Sequence, residues 1–249
     1  MHSIKPNKPL GGKAYGSIGH LPQSRLGPGD WSVHEGQARI CLEKPRKGDR
    51  IIVTEKLDGS CMAVANIDGR IVALSRAGYL ASDALYEHLL EFVPYVEKRS
   101  KFFSLLLRPG ERICGEWLAL AHGTKYDSCS ENFSPFVAFD IIRDGKRILT
   151  DEFNFRVNGI ACADIGRAAI VHDGASPCSI EMALLIIGEH GFHGSMEPVE
   201  GAVWRVEREG RVDFLAKYVR QDKVDGKYLP NVTNNITGGV LVWNWRESA

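Results

Sequence analysis

A chain of 249 residues, with 31 Lys+Arg against 31 Asp+Glu and a formal net charge of zero, is long enough to bury its own core without metals or disulfides. Its 44% hydrophobic and 25% charged residues are globular averages, which excludes a disordered or membrane class. Zero net charge excludes a globally basic nucleic-acid binder, so any such contact has to rest on local patches. Two runs qualify: "KPRKGDR", with Lys44, Arg46, Lys47 and Arg50, and "KYVRQDKVDGK", with Arg220, Lys223 and Lys227. A solvated surface explains either run on its own.

The six cysteines (Cys41, Cys61, Cys114, Cys129, Cys162, Cys178) contain no CxxC pair, which argues against a zinc site and suits a reduced, intracellular protein. The N-terminus "MHSIKPNKPLGGK" has no apolar core of a signal peptide, and no later run is long enough to span a bilayer. The expectation is a soluble, cytoplasmic protein.

In chain order, the Gly- and Pro-rich residues before Arg50 read as loops and short strands, with "GPGD" as a turn. "RIIVTE" is a β-branched strand. "SCMAVANI" and "RIVALSR" flank Asp68–Gly69, a strong hairpin signal. A helix is expected from Ser82 to Lys98, with Leu85, Leu89, Phe92 and Val96 on one face. "ERICGEWLAL" and "PFVAFDIIRDGKRIL" read as strands, the second turning at Asp144–Gly145. "CSIEMALLIIGEHG" is a second helix stopped by Gly191. "GAVWRVEREGRVDFLAKYVR" closes as a hairpin at Glu209–Gly210. Hairpins dominate and regular βαβ alternation is missing. The expected class is therefore α+β, antiparallel sheets with flanking helices. "LGGKAYG" looks like a phosphate loop but misses the GxxxxGK[ST] spacing.

The chemistry centres on Glu55-Lys56-Leu57-Asp58-Gly59. A free lysine has a pKa near 10.4, so roughly one in a thousand is uncharged and nucleophilic at neutral pH. Placed where a strand ends before a glycine, Lys56 would stand in a cleft. Downstream, "LSRAG" carries Arg76, and "CGEW" sets Glu116 inside an apolar strand, where a carboxylate needs a partner. "FVAFDI" presents Phe139, "PVEGAVWR" starts a strand with Glu200, and "FLAKYVR" sets Lys217 among apolar residues. Each has a bland explanation alone: surface charge, satisfied buried acid, or core.

In that order and spacing, these segments resemble the nucleotidyltransferase motifs of covalent ATP-dependent polynucleotide ligases, and within them the RNA ligase family. "KAYGSIGHLPQSRLGPGD", "TEKLDGS", "GEWLALAHGTKYD", "FVAFDI" and "PVEGAVWRVE" carry the likeness, which extends to His122 and Tyr126 and runs from about Ala14 to Lys227. The resemblance implies a nucleotidyltransferase domain in which Lys56 attacks the α-phosphate of ATP and holds AMP as a phosphoramidate. It implies that Arg76 contacts the ribose or the incoming phosphate end, Glu116 bonds the ribose hydroxyls, and Phe139 stacks on adenine. Glu55 belongs to the nucleotide-binding set by its place beside Lys56. Glu200 would bind Mg²⁺ or Mn²⁺, and Lys217 the α-phosphate. Lys217 and the metal would depress the pKa of Lys56 by like-charge repulsion. The partner would be RNA with 5′-phosphate and 3′-OH ends.

Two departures matter. Family members often carry a second lysine two places after the first in the last motif. Here either Val219 takes that place, or Lys217 is the second lysine and Leu215 replaces the first. DNA ligases and capping guanylyltransferases also add an OB-fold, which needs about 70 residues or more. The expectation is a single nucleotidyltransferase domain over residues 1–249, with a lead-in over 1–13, no OB-fold, and room for an accessory protein. The alternatives are a DNA nick ligase, a guanylyltransferase-like enzyme, or an inactive nucleotide- or RNA-binding module of the same fold.

Overall fold

The computed structural model describes residues 8–159, 165–229 and 240–247. Cys162 and residues 1–7 of the lead-in lie outside them, and the other five cysteines are free thiols. Three two-residue turns organise the chain: Asp68–Gly69, Asp144–Gly145 and Glu209–Gly210 all have positive φ at both positions. That geometry matches the right-handed twist of the strands it joins. It forms the three expected hairpins: β3 (Ser60–Ile67) with β4 (Arg70–Ser75), β6 (Phe136–Arg143) with β7 (Lys146–Arg147), and β10 (Gly201–Arg208) with β11 (Arg211–Val219).

The remaining strands are β1 (Gly19–His20), β2 (Asp49–Lys56), β5 (Arg112–Trp117), β8 (Ile165–Arg167) and β9 (Ile170–Gly174). One sheet runs β1-β11-β10-β2-β9. The other runs β4-β3-β5-β6-β7, with β8 parallel on β6. Apart from the β1–β11 and β6–β8 pairs, every strand pairing is antiparallel, so the α+β class with antiparallel sheets holds.

The helices cover the outer faces. The first sheet packs Ile51, Val53, Ala202, Trp204 and Val206 against α1 (Glu35–Leu42) and α6 (Ile180–Ile187). The second packs Met62, Val64, Ile113, Trp117 and Phe136 against α3 (Phe92–Lys98) and α4 (Ser100–Leu106). The four-residue α2 (Glu87–Leu90) and the nine-residue α5 (Thr150–Asn158) complete the described α-helices. Among the described residues, no helix is long and apolar enough to cross a membrane.

The single helix expected over 82–98 is broken. Ala84 and Tyr86 are extended, Leu85 is 94% exposed, and α2 and α3 meet at Glu91. Pro94 lacks the amide that would bond the carbonyl of Leu90, and its ring crowds that carbonyl. The α6 helix ends at Ile187 on Gly188, whose φ of 74° caps it three residues before Gly191. Helix α1 lies inside the segment expected to hold only loops and strands. His34 and Gln37 cap it reciprocally, His34 accepting from the Gly36 amide at 3.1 Å.

Residues 240–247 run back as a strap over the second sheet. Asn244 accepts from the Tyr126 amide at 3.0 Å and donates to the Leu118 carbonyl at 2.8 Å. Trp245 packs edge-on against Trp117 and Tyr95. The two sheets are clamped by a buried ion pair, Arg205 of β10 donating to Asp140 of β6 at 2.5 Å. Asp140 also accepts from Tyr15 Oη at 2.6 Å and Arg147 at 3.0 Å.

Candidate active site

Between the sheets lies a cleft of about 320 Å³, lined by Lys56, Arg76, Glu116, Phe139, Glu200 and Lys217. The pleat decides which side chains reach it. In β2, Ile51 and Val53 pack on the outer cluster, so Thr54 and Lys56 face the cleft. Lys56 ends the strand opposite Gly201, where a Cβ would lie 1.9 Å from the Tyr218 carbonyl oxygen. Only glycine allows that approach. Thr54, Val203 and Lys217 form the adjacent row across three strands. In β6 the register slips: Cys114 opposes Asp140 and Gly115 opposes Ala138, leaving Phe139 unopposed. Such a bulge re-aims a side chain, and the Phe139 ring stands in the cleft, edge-on to Tyr15 at 5.0 Å.

Lys56 Nζ donates to Glu200 Oε2 at 2.6 Å and to its neighbour's carbonyl, Leu57 O, at 3.3 Å. Burial by itself would lower the lysine's pKa, but Glu200, Glu116 and Asp58 outweigh it and raise the pKa above the usual value. Among the protein's own groups, the carboxylates outweigh the depression expected from Lys217. Three carboxylates face the amine, and Lys56 instead helps burial to lower Lys217. Burial pushes Glu116 up to about 7, with Lys56 opposing. Glu116 Oε1 accepts from the Gly59 amide at 3.1 Å. Glu200 is also raised by burial, against the pull of Lys56.

The turn after Lys56 is braced from outside. Asp58 Oδ2 accepts from the Gly123 amide and from Lys223 Nζ, both at 2.8 Å. The Asp58 amide donates to Tyr126 Oη at 3.0 Å.

The family model of RNA ligases matches residues 49–219, a span that starts at β2 and ends at β11. The chain belongs to the RNA ligase family. Among solved structures it resembles a Naegleria gruberi RNA ligase with PPi, at 19% identity and a TM-score of 0.50, covering 81% of this chain and 59% of that one. It also resembles the same organism's ligase with ATP and Mn (21% identity, TM-score 0.48, covering 70% and 50%). An archaeal ATP-dependent RNA ligase is a further likeness (19% identity, TM-score 0.49, covering 69% and 43%). At these identities the likeness concerns the fold, and the chain spans about half the length of these structures. No curated protein matches it.

In this RNA ligase-family chain the structure gathers Lys56, Arg76, Glu116, Phe139, Glu200 and Lys217 around one cleft. Glu55 also lines the cleft, with its carboxylate turned away from Lys56. By strand alternation its side chain shares the outer face with Val53, and its carboxylate accepts from the Phe192 amide at 2.9 Å. Of the two readings of the last motif, Leu215 and Lys217 both line the cleft, whereas Val219 is buried.

The basic runs are only partly paired, and Lys44 and Lys47 stay exposed. Arg46 is bonded to Asp49 and Asp213, and Arg50 to Asp151 and Asp173, at the far end of β2 from Lys56. Arg220 pairs with Asp222, Lys223 with Asp58, and Lys227 with Glu197. Sequence reasoning missed the bracing role of Asp58, although "KLDG" contains it. It also missed Asp30, which "GPGD" offers only as a turn residue.

Proposed function

We propose that the protein is an ATP-dependent RNA ligase that works through AMP bound covalently to Lys56. The observation that carries this reading is the Lys56 amine in a cleft between two sheets, flanked by carboxylates, by Lys217 and Arg76, and by an aromatic face. Phosphoryl transfer asks for positioning and charge neutralisation, and this set supplies both.

In this reading Phe139 stacks on adenine, Glu116 bonds the ribose hydroxyls, and Arg76 meets the ribose or the incoming phosphate end. Lys217 holds the α-phosphate. Glu200 Oε2, 2.6 Å away, takes one proton from the Lys56 ammonium and frees its lone pair. The neutral amine attacks the α-phosphorus, the N–P bond forms as the bond to pyrophosphate breaks, and the second N–H proton leaves to solvent. The AMP then passes to an RNA 5′-phosphate, and a 3′-OH displaces it to seal the strand.

The donor set fits Mg²⁺ or Mn²⁺. Glu200 offers an oxygen ligand on the cleft, and no three His, Cys, Asp or Glu groups among the described residues converge into a closed cage. Magnesium commonly binds through one or two carboxylates together with substrate phosphates. It would supply positive charge to the phosphate oxygens when bound. The reading treats residues 1–249 as one nucleotidyltransferase domain acting in the cytoplasm, with an accessory protein free to supply further strand contacts.

The test is strand joining. A 5′-labelled RNA with a 3′-OH partner, incubated with ATP and Mg²⁺, should become phosphatase-resistant, and its DNA counterpart should react far less. Sealing of DNA alone would move a DNA nick ligase to the front.

A further inference from the structure

The segment 19–33 precedes the span matched by the family model, yet it grips the end of β11 where Lys217 sits. Strand β1 pairs in parallel with it, Gly19 opposite Ala216 and His20 opposite Lys217. The Leu21 amide donates to the Lys217 carbonyl at 2.7 Å, and the Arg25 amide to the Val219 carbonyl at 2.9 Å. Ser24 Oγ accepts from the Val219 amide at 2.9 Å and lies 2.6 Å from His20 Nδ1. The loop folds tightly on itself: a Cβ at Gly19 would lie 2.5 Å from the Trp31 ring.

Asp30 closes this structure. Its Oδ2 accepts from the Gly27 amide at 2.9 Å and faces His20 Nε2 at 3.1 Å. Its other oxygen lies 3.6 Å from Lys217 Nζ. His20 is buried and Asp30 side-chain exposure is 33%, so the carboxylate is held from behind and aimed at the ammonium. The groups that act on the Lys217 charge are Lys56 from β2, Glu200 from the turn before β10, Arg76 after β4, and Asp30. Glu200 is already taken by Lys56. Of the two acids, Asp30 is the one within ion-pair distance of Lys217.

We infer that Asp30, backed by His20 and Ser24, is a positioning residue for Lys217, fixing the direction of its ammonium toward the phosphate of the bound nucleotide. This rests on the reading that Lys217 meets the α-phosphate. A flexible lysine stem loses rotamer entropy when its ammonium is fixed. A carboxylate that has already restricted the stem removes part of that cost from the transition state.

The experiment is a double-mutant cycle on single-turnover adenylylation with α-labelled ATP and Mg²⁺, using the full chain. Time courses run for hours, so that losses on the order of 10⁴-fold stay measurable. Asp30→Asn should slow the step about tenfold, mostly in the maximal rate and little in the KM for ATP. Lys217→Ala should cost about 10²–10³-fold. The decisive variant is the double one: Asp30→Asn should add almost nothing in the Lys217→Ala background. Asp30→Glu, which keeps the charge, should recover part of the loss.

An equal loss from Asp30→Asn in both backgrounds would overturn the inference, because the residue would then act independently of Lys217. So would an unchanged rate or tighter ATP binding in Asp30→Asn. Full activity in Lys217→Ala would sink the phosphate role of Lys217 itself, a distinct failure. Melting temperatures accompany each variant. If Asp30→Asn does not fold, Asp30→Ser, which keeps an acceptor for the Gly27 amide, takes its place in the cycle.

Discussion

Glu55 and Lys56 are adjacent in sequence and opposite in fate. Lys56 points into the cleft against Glu200, while Glu55 is 2% exposed, accepts from the Phe192 amide and lies 3.9 Å from His193 Nε2. Burial pushes the Glu55 carboxyl up from its ordinary 4.5 to about 7. Burial also lowers His193 to about 4, so at neutral pH no cation there offsets the acid. The sign follows from linkage: between pH 4.5 and 7 the unfolded chain holds fewer protons than the folded one, so stability falls as pH rises. Glu55→Gln keeps an acceptor for the Phe192 amide and cannot ionise. At pH 8 it should be more stable than the parent, by up to about 3 kcal/mol, and near pH 4.5 the two should melt together. Equal melting points at both pH values would contradict a strained carboxylate. The residue types of the site were legible because charged groups inside apolar strands need partners. Which face each takes was not, since the pleat is fixed by partners such as Ala202, 147 positions from Glu55.

At the scale of elements, the hairpins could be read directly because Asp-Gly and Glu-Gly pairs supply the positive φ that two-residue turns demand. The helix expected over 82–98 failed at two places: Pro94 interrupts the ladder at Leu90, and the extended Ala84 and Tyr86 break it upstream, neither of which periodicity reports. Helix α1 and the bulge at Phe139 depend on capping and on register with β5, neither of which hydrophobic spacing reports. The strap over 240–247 is the least legible element, since it is held by long-range contacts of Asn244, Trp245, Arg246 and Glu247 that no local pattern reports. Asn244 bonds the Tyr126 amide and the Leu118 carbonyl, and that same loop braces Asp58 through Tyr126 and Gly123. Asn244→Ala leaves a buried amide and a buried carbonyl unpaired, at about 1–3 kcal/mol each. We expect a lower melting temperature, faster hydrogen exchange at Tyr126, and slower adenylylation. Unchanged exchange at Tyr126 would mean that the strap covers the loop without holding it.

For the molecule as a whole, the buried Arg205–Asp140 pair joins two sheets whose only shared task is to enclose the cleft. Breaking such a buried pair from one side is costly, though Arg147 on Asp140 and Glu207 on Arg205 would remain, and both residues lie inside the motif segments FVAFDI and PVEGAVWRVE. Charge bookkeeping at this scale also changes the view of strand binding. The arginines of the basic runs, with Lys223 and Lys227, are engaged in ion pairs, which in the proposed reading leaves the exposed Lys44 and Lys47 and, at the cleft, Arg76 and Lys217 to meet a strand end. The account therefore turns on one bond, between Lys56 and AMP. Its most direct test is to incubate the parent and Lys56→Ala with α-labelled ATP and Mg²⁺, then compare denaturing gels and intact masses. The account predicts acid-labile label and a mass gain of one adenylate on the parent, both absent from Lys56→Ala. Label that persists in Lys56→Ala, or a parent that gains neither label nor mass and does not already carry an adenylate, would contradict it.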